Sequence, residues 1–126
     1  MKRTAILLLL ATVSCSRSGP SKTAASAVDP AASAQADEIF KTRCTPCHGP
    51  NGRGDGPASA SLSPHPRNFT DKQWQTAVSD EHIGKILQYG GAAVGKSPNM
   101  PANPDLQSKP PVVQALVQKV RGFGAN

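Results

Sequence analysis

Apolar and polar positions alternate along this chain in a way that separates a short apolar lead, a featureless stretch and a set of helical patches joined by loops. Apolar side chains run almost unbroken over Ala5–Val13, behind Lys2 and Arg3. A run this short does not cross a bilayer as a mature helix; with its basic lead it reads as an export signal over residues 1–14. Residues 15–34 are rich in Ser, Ala and Pro and show no period. They predict a flexible tether, which as a coil would reach on the order of 25 Å. Helical spacing starts with Ala36, Ile39, Phe40 and Arg43. Asp37 and Glu38 are expected in the first turn, where the helix dipole favours acids.

Glycines and prolines from Gly49 to Arg67 predict a loop. A short helix is expected around Trp74. Ser79 reads as an N-cap ahead of Asp80 and Glu81. Ile83, Ile86 and Leu87 then form one apolar stripe, which Gly90-Gly91 ends. Residues 92–107 form a second loop, with Pro98, Met100, Pro101 and Pro104. The last helix is expected to start at Pro110-Pro111, to bury Val113, Leu116, Val117 and Val120, and to stop at Gly122 and Gly124. No strand pattern and no internal repeat is evident. The expectation is one all-α domain over residues 35–126.

Length and charge narrow the function. A chain of 126 residues holds one small domain. Fourteen Lys and Arg stand against eight Asp and Glu. Lys2 and Arg3 leave with the signal, and no basic cluster of the kind that marks a nucleic-acid footprint remains. Small residues lead through Thr12-Val13-Ser14 to Cys15 at the end of the apolar run. This resembles the lipobox of bacterial lipoproteins, with Thr12 where Leu is usual, and implies cleavage before Cys15 and a lipid on it. The expected location is the periplasmic side of a bacterial membrane, lipid-anchored; the alternative is a soluble periplasmic protein.

Chemistry concentrates at Cys44-Thr45-Pro46-Cys47-His48. The pattern C-x-x-C-H is the attachment site of c-type haem. On a helical turn, positions i, i+3 and i+4 share a face. Two thiols so placed can add to two vinyl groups of one haem, with the His48 imidazole beside them for the iron. A domain of about 90 residues with few large apolar side chains struggles to build a core alone. Aromatic residues make up only 4% of this chain, and a buried macrocycle would supply the missing bulk.

From about residue 35 to 123 the chain resembles a class I cytochrome c, the small monohaem kind. The residues that carry the resemblance are the helix entering Cys44-Thr45-Pro46-Cys47-His48-Gly49, the loop Gly54-Asp55-Gly56-Pro57, the stretch Asn99-Met100-Pro101 and the C-terminal helix. It implies an all-α fold of three to four helices wrapped around one covalently bound haem, first and last helices crossing, and a role in electron transfer. It also implies that the backbone carbonyl of Pro57 accepts from His48. Lys119 departs from the pattern, since many relatives place an aromatic there.

The sixth iron ligand has three candidates: Met100, His65 and His82. Met100 is favoured because its loop is too polar and Pro-rich for a packing helix, and it is the only Met besides the initiator. Flanking prolines stiffen that loop. Arg67 and Trp74 are candidate partners for the haem propionates. Tyr89 and Phe69 are expected to pack on the haem edge. Lys72, Lys85, Lys96 and Lys109 could form a basic rim for an acidic redox partner.

Two other motifs fail on context. Gly90–Ser97 matches the P-loop pattern G-x-x-x-x-G-K-S, but a helix pattern precedes it and prolines follow, where phosphate binding needs a strand before and a helix after. No nucleotide is expected. Cys44 and Cys47 lack the βαβ setting of a dithiol oxidoreductase, and with one adjacent His they leave a zinc site incomplete. The reading is a non-enzymatic electron carrier with His/Met ligation. The alternatives are a ligand-sensing haem domain or a cytochrome subunit of a larger respiratory complex.

Overall fold

The computed structural model describes residues 29–125. The expected signal, Cys15 and most of the expected tether lie outside the described residues. Helix α1 spans Pro30–Ile39 and so begins inside the stretch read as tether. Asp29 caps it, its carboxylate accepting from the Ala31 N–H at 3.2 Å, and Pro30 takes the first turn, where its missing N–H costs nothing. Ala32 and Ala36 are buried, so the Ala-rich run is a packing face rather than a linker. The earlier start moves Asp37 and Glu38 out of the first turn, correcting that expectation.

Chain order continues with α2 (Thr45–His48), α3 (Lys72–Ala77), α4 (Asp80–Tyr89) and α5 (Pro110–Gly124), with short 3-10 turns between them. No strand occurs among the described residues. The fold is all-α, as expected. Helix α1 packs along α5, and α4 packs on α5 from another side. The core they share is Ala36, Ile39, Phe40, Ile83, Leu87, Leu106 and the α5 stripe Val113, Leu116, Val117 and Val120. Ser79 caps α4 at the His82 N–H, 3.1 Å, with Asp80 and Glu81 in its first turn.

Helix α5 runs through Gly122, against the expected stop there. A glycine costs a helix about 1 kcal/mol relative to alanine but does not end it. Continuing the turn lets Phe123 meet Phe40 at 5.2 Å and Phe69 at 6.2 Å between ring centroids. Lys119, where the resemblance implies an aromatic, itself contacts one. Its Nζ lies 5.3 Å over the Phe40 ring and 2.7 Å from the Asp37 carboxylate, so a cation–π contact and an ion pair join α5 to α1. Arg121 ties α5 to the α3–α4 junction, donating to Asp80 Oδ1 at 2.7 Å and to the Gln75 and Val78 carbonyls at 2.6 Å each.

Candidate functional site

Between α1 and α2 the backbone widens into one π-turn, Phe40–Cys44. Such turns recur at functional sites because they rotate the following residues without ending the helix. Helix α2 is a single turn, and the carbonyls of a helix's last turn have no partner within it. Here each finds one. Thr45 O accepts from Gly49 N at 2.9 Å, Pro46 O from Ala58 N at 2.9 Å, Cys47 O from Gly56 N at 3.1 Å and His48 O from Gly54 N at 2.8 Å. The loop after the motif therefore folds back over it and holds all four carbonyls. Gly56 is required by proximity: a Cβ there would run into the Thr45 and Pro46 carbonyls. The glycines after His48 predict a loop, and the structure shows that loop to be this cap.

His48 is buried, and its Nδ1 lies 3.0 Å from the Arg67 carbonyl oxygen. The resemblance had implied Pro57 for that acceptor. Pro57 instead lies exposed in the turn of the capping loop, and the carbonyl that meets the His48 ring is that of Arg67. Phe69 stacks on the imidazole at 4.4 Å between centroids, 17° from parallel. Burial holds the imidazole pKa below its ordinary value, so the ring is neutral at pH 7, the form that binds metals. With Nδ1 donating to a carbonyl, Nε2 is the nitrogen free for a metal.

Arg67 and Trp74, the two expected propionate partners, are neighbours. The guanidinium lies 5.9 Å over the Trp74 ring and 3.6 Å from the Asp71 carboxylate. Trp74 in turn lies 5.6 Å from Phe69. The structure thus joins both residues to the His48 side of the site through Arg67 and Phe69.

Met100 is half-buried in a loop hung from the end of α4. Gly91 N–H donates to the Met100 carbonyl at 2.9 Å, and Asn103 bonds the Leu87 and Gln88 carbonyls. A Cβ on Gly90 would lie 2.9 Å from the Met100 carbonyl, and one on Gly91 would meet the Ser97 carbonyl. The glycines of the P-loop-like run thus let the Met100 loop lie against α4.

Cys44 and Cys47 are unpaired thiols, both half-buried. Burial pushes the Cys44 thiol up to about 11. The donor set fits a covalently attached haem: two free thiols at helical spacing, a neutral imidazole with one nitrogen committed, and a thioether on a pinned loop. His65 is exposed and His82 half-buried on the first turn of α4. Tyr89, expected at the haem edge, is 49% exposed and lines the α4–α5 groove with Pro110 and Val113. Of the expected basic rim, Lys85 pairs with Glu81 and Lys109 with Asp105, which partly neutralises it, while Lys72 donates to the Gly124 carbonyl and keeps its charge.

A family model for cytochrome c matches residues 33–117. A solved structure described as the KustC0563 c-type cytochrome is 30% identical, with a TM-score of 0.51, and the match covers 70% of this chain and 95% of that one. No curated protein sequence matches significantly. The all-α fold, the C-x-x-C-H turn and both likenesses agree: the chain belongs to the cytochrome c family, as a class I monohaem member whose covalently bound haem c serves electron transfer.

Proposed function

We propose that this protein is a membrane-tethered electron shuttle in which Cys44 and Cys47 form the two thioethers, His48 and Met100 are the axial ligands, and Arg67 and Trp74 face the propionates. Bound haem supplies the one-electron centre, which cycles between ferric and ferrous iron. The observation that carries the reading is the commitment of His48 Nδ1 to the Arg67 carbonyl at 3.0 Å. That bond fixes the tautomer, orients the ring and raises the basicity of Nε2 as a ligand. Met100 is the complementary donor. Its thioether favours the ferrous state and raises the potential. Pinning its loop to α4 keeps the coordination the same in both redox states, so little reorganises when an electron moves. Redox partners meet the exposed haem edge through a small, transient interface. Cys15 carries the lipid anchor, and two or more acyl chains give stable anchoring. Mass spectrometry of the mature N-terminus should show a lipidated Cys15.

Visible spectra of the holoprotein, oxidised and reduced, test the ligand set. The wild type should be six-coordinate and low-spin in both states and slow to bind carbon monoxide. Met100→Ala should bind carbon monoxide readily, and Met100→His should stay six-coordinate with a lowered potential. His65→Ala and His82→Ala should leave the spectrum unchanged. Rapid carbon monoxide binding by the wild type, or loss of the low-spin spectrum in either His variant, would favour a sensing domain and overturn the Met100 assignment.

A further inference from the structure

Asn103 sits three residues beyond Met100 and bonds two separate parts of the fold. Its backbone N–H donates to the Gln88 carbonyl at 3.2 Å, and its Nδ2 donates to the Leu87 carbonyl at 2.8 Å. These are carbonyls of the last turn of α4, which lack partners inside the helix. Its Oδ1 accepts from Arg43 Nη1 at 3.3 Å. Arg43 immediately precedes Cys44, and its guanidinium is aimed by Asp105 Oδ1 at 2.8 Å. One side chain therefore braces the base of the Met100 loop against α4 and against the turn that carries the thiols.

We infer that Asn103, assisted by Arg43, is the positioning residue that keeps the Met100 loop closed, so that its amide sets how often the thioether leaves the iron. The inference rests on the proposed Met100 ligation. The two contacts differ in weight. The Asn103 amide is half-buried, and losing it strands a backbone carbonyl, which costs more than an average hydrogen bond. The Arg43–Asp105 pair is exposed, 45% and 40%, and exposed pairs contribute little. Asn103 thus carries the larger share and Arg43 the smaller.

The test is imidazole binding to the ferric full-length holoprotein at neutral pH. At high imidazole the observed rate levels off at the rate of loop opening. Asn103→Ala should raise that limit about tenfold, and Arg43→Ala about threefold. Asn103→Asp, which keeps an acceptor for Arg43 but cannot donate to the Leu87 carbonyl, should raise the limit by less than Asn103→Ala. Lys119→Ala, which weakens the α1–α5 contact far along the chain from the loop, should lower thermal stability and leave the limit unchanged. A wild-type limiting rate in Asn103→Ala or Arg43→Ala overturns the inference, as does an equal rise in Lys119→Ala. Should Asn103→Ala fail to load haem, Arg43→Ala carries the test. A wild type without the absorption band of a ferric iron–thioether bond overturns the ligation reading and this inference with it. A wild type with that band and variants at its rate overturns this inference alone.

Discussion

Phe69 lies face to face with His48, ring centroids 4.4 Å apart and planes 17° from parallel, two residues after the carbonyl that holds the same imidazole. One short segment therefore fixes the ring by a hydrogen bond at its edge and by contact across its face. Phe69→Ala should cost the holoprotein about 3–5 kcal/mol in denaturant unfolding, the range for emptying a buried aromatic site. Phe69→Leu, which fills most of the space, should cost less. In the Ala variant the imidazole loses its wall and should reorient, which proton NMR of the ferric protein reads from its shifted haem methyl resonances.

Gly91 and Gly95 make opposite predictions. Gly91 has an ordinary φ of −66°, so alanine suits its backbone; the obstacle is the Ser97 carbonyl and Met100 Cβ, which a new Cβ would meet. Gly91→Ala should push the Met100 loop away from α4, weaken the ferric thioether absorption band and speed imidazole binding. Gly95 has φ +70° and open space around it. Gly95→Ala should cost about 1 kcal/mol of stability for the left-handed backbone and leave the band intact.

Covalent attachment can be separated from mere binding. Wild-type haem should stay with the chain through acid–organic extraction. Replacing Cys44 or Cys47 alone by Ala should leave one thioether and still resist extraction, while the double variant should release all its haem. Mass spectrometry of the intact chain checks each case.

Asp105 provides a pH handle on the brace between Arg43 and the Met100 loop. Hydrogen bonding to Arg43 holds its carboxyl below the ordinary 3.8, with a smaller contribution from the charge of Lys109. The folded-state pKa is depressed, so the stabilisation is fully present above the unfolded value and is lost as pH falls through the folded one. Carbon-detected NMR titration should place the Asp105 midpoint below its ordinary value. Arg43→Ala should move that midpoint upward.

The sequence by itself determined the features that local rules govern. C-x-x-C-H needs only helical spacing to align Cys44, Cys47 and His48. Ser79, the Ile83–Leu87 stripe and the Pro110-Pro111 start each state a helix in a few adjacent residues, and α4 and α5 form there. The proposal of Met100 as a ligand rests on the same local ground, a methionine set in a polar, Pro-rich loop. Where local rules misled, packing was the reason. The Ala-rich start of α1 looks like a linker until Ala32 and Ala36 meet α5, and Gly122 looks like a stop until Phe123 finds Phe40.

Tertiary structure alone decided which backbone group faces which side chain. Every residue has a carbonyl, so nothing in the residue types tells Pro57 from Arg67 as the partner of His48; the path of the loop makes that choice. The same holds for the brace at Asn103. Arg43 and Asp105 are 62 positions apart, and no spacing rule links them. They meet because the turn carrying the thiols and the loop carrying Met100 both come to the C-terminal end of α4, where Asn103 bonds the Leu87 and Gln88 carbonyls and accepts from Arg43.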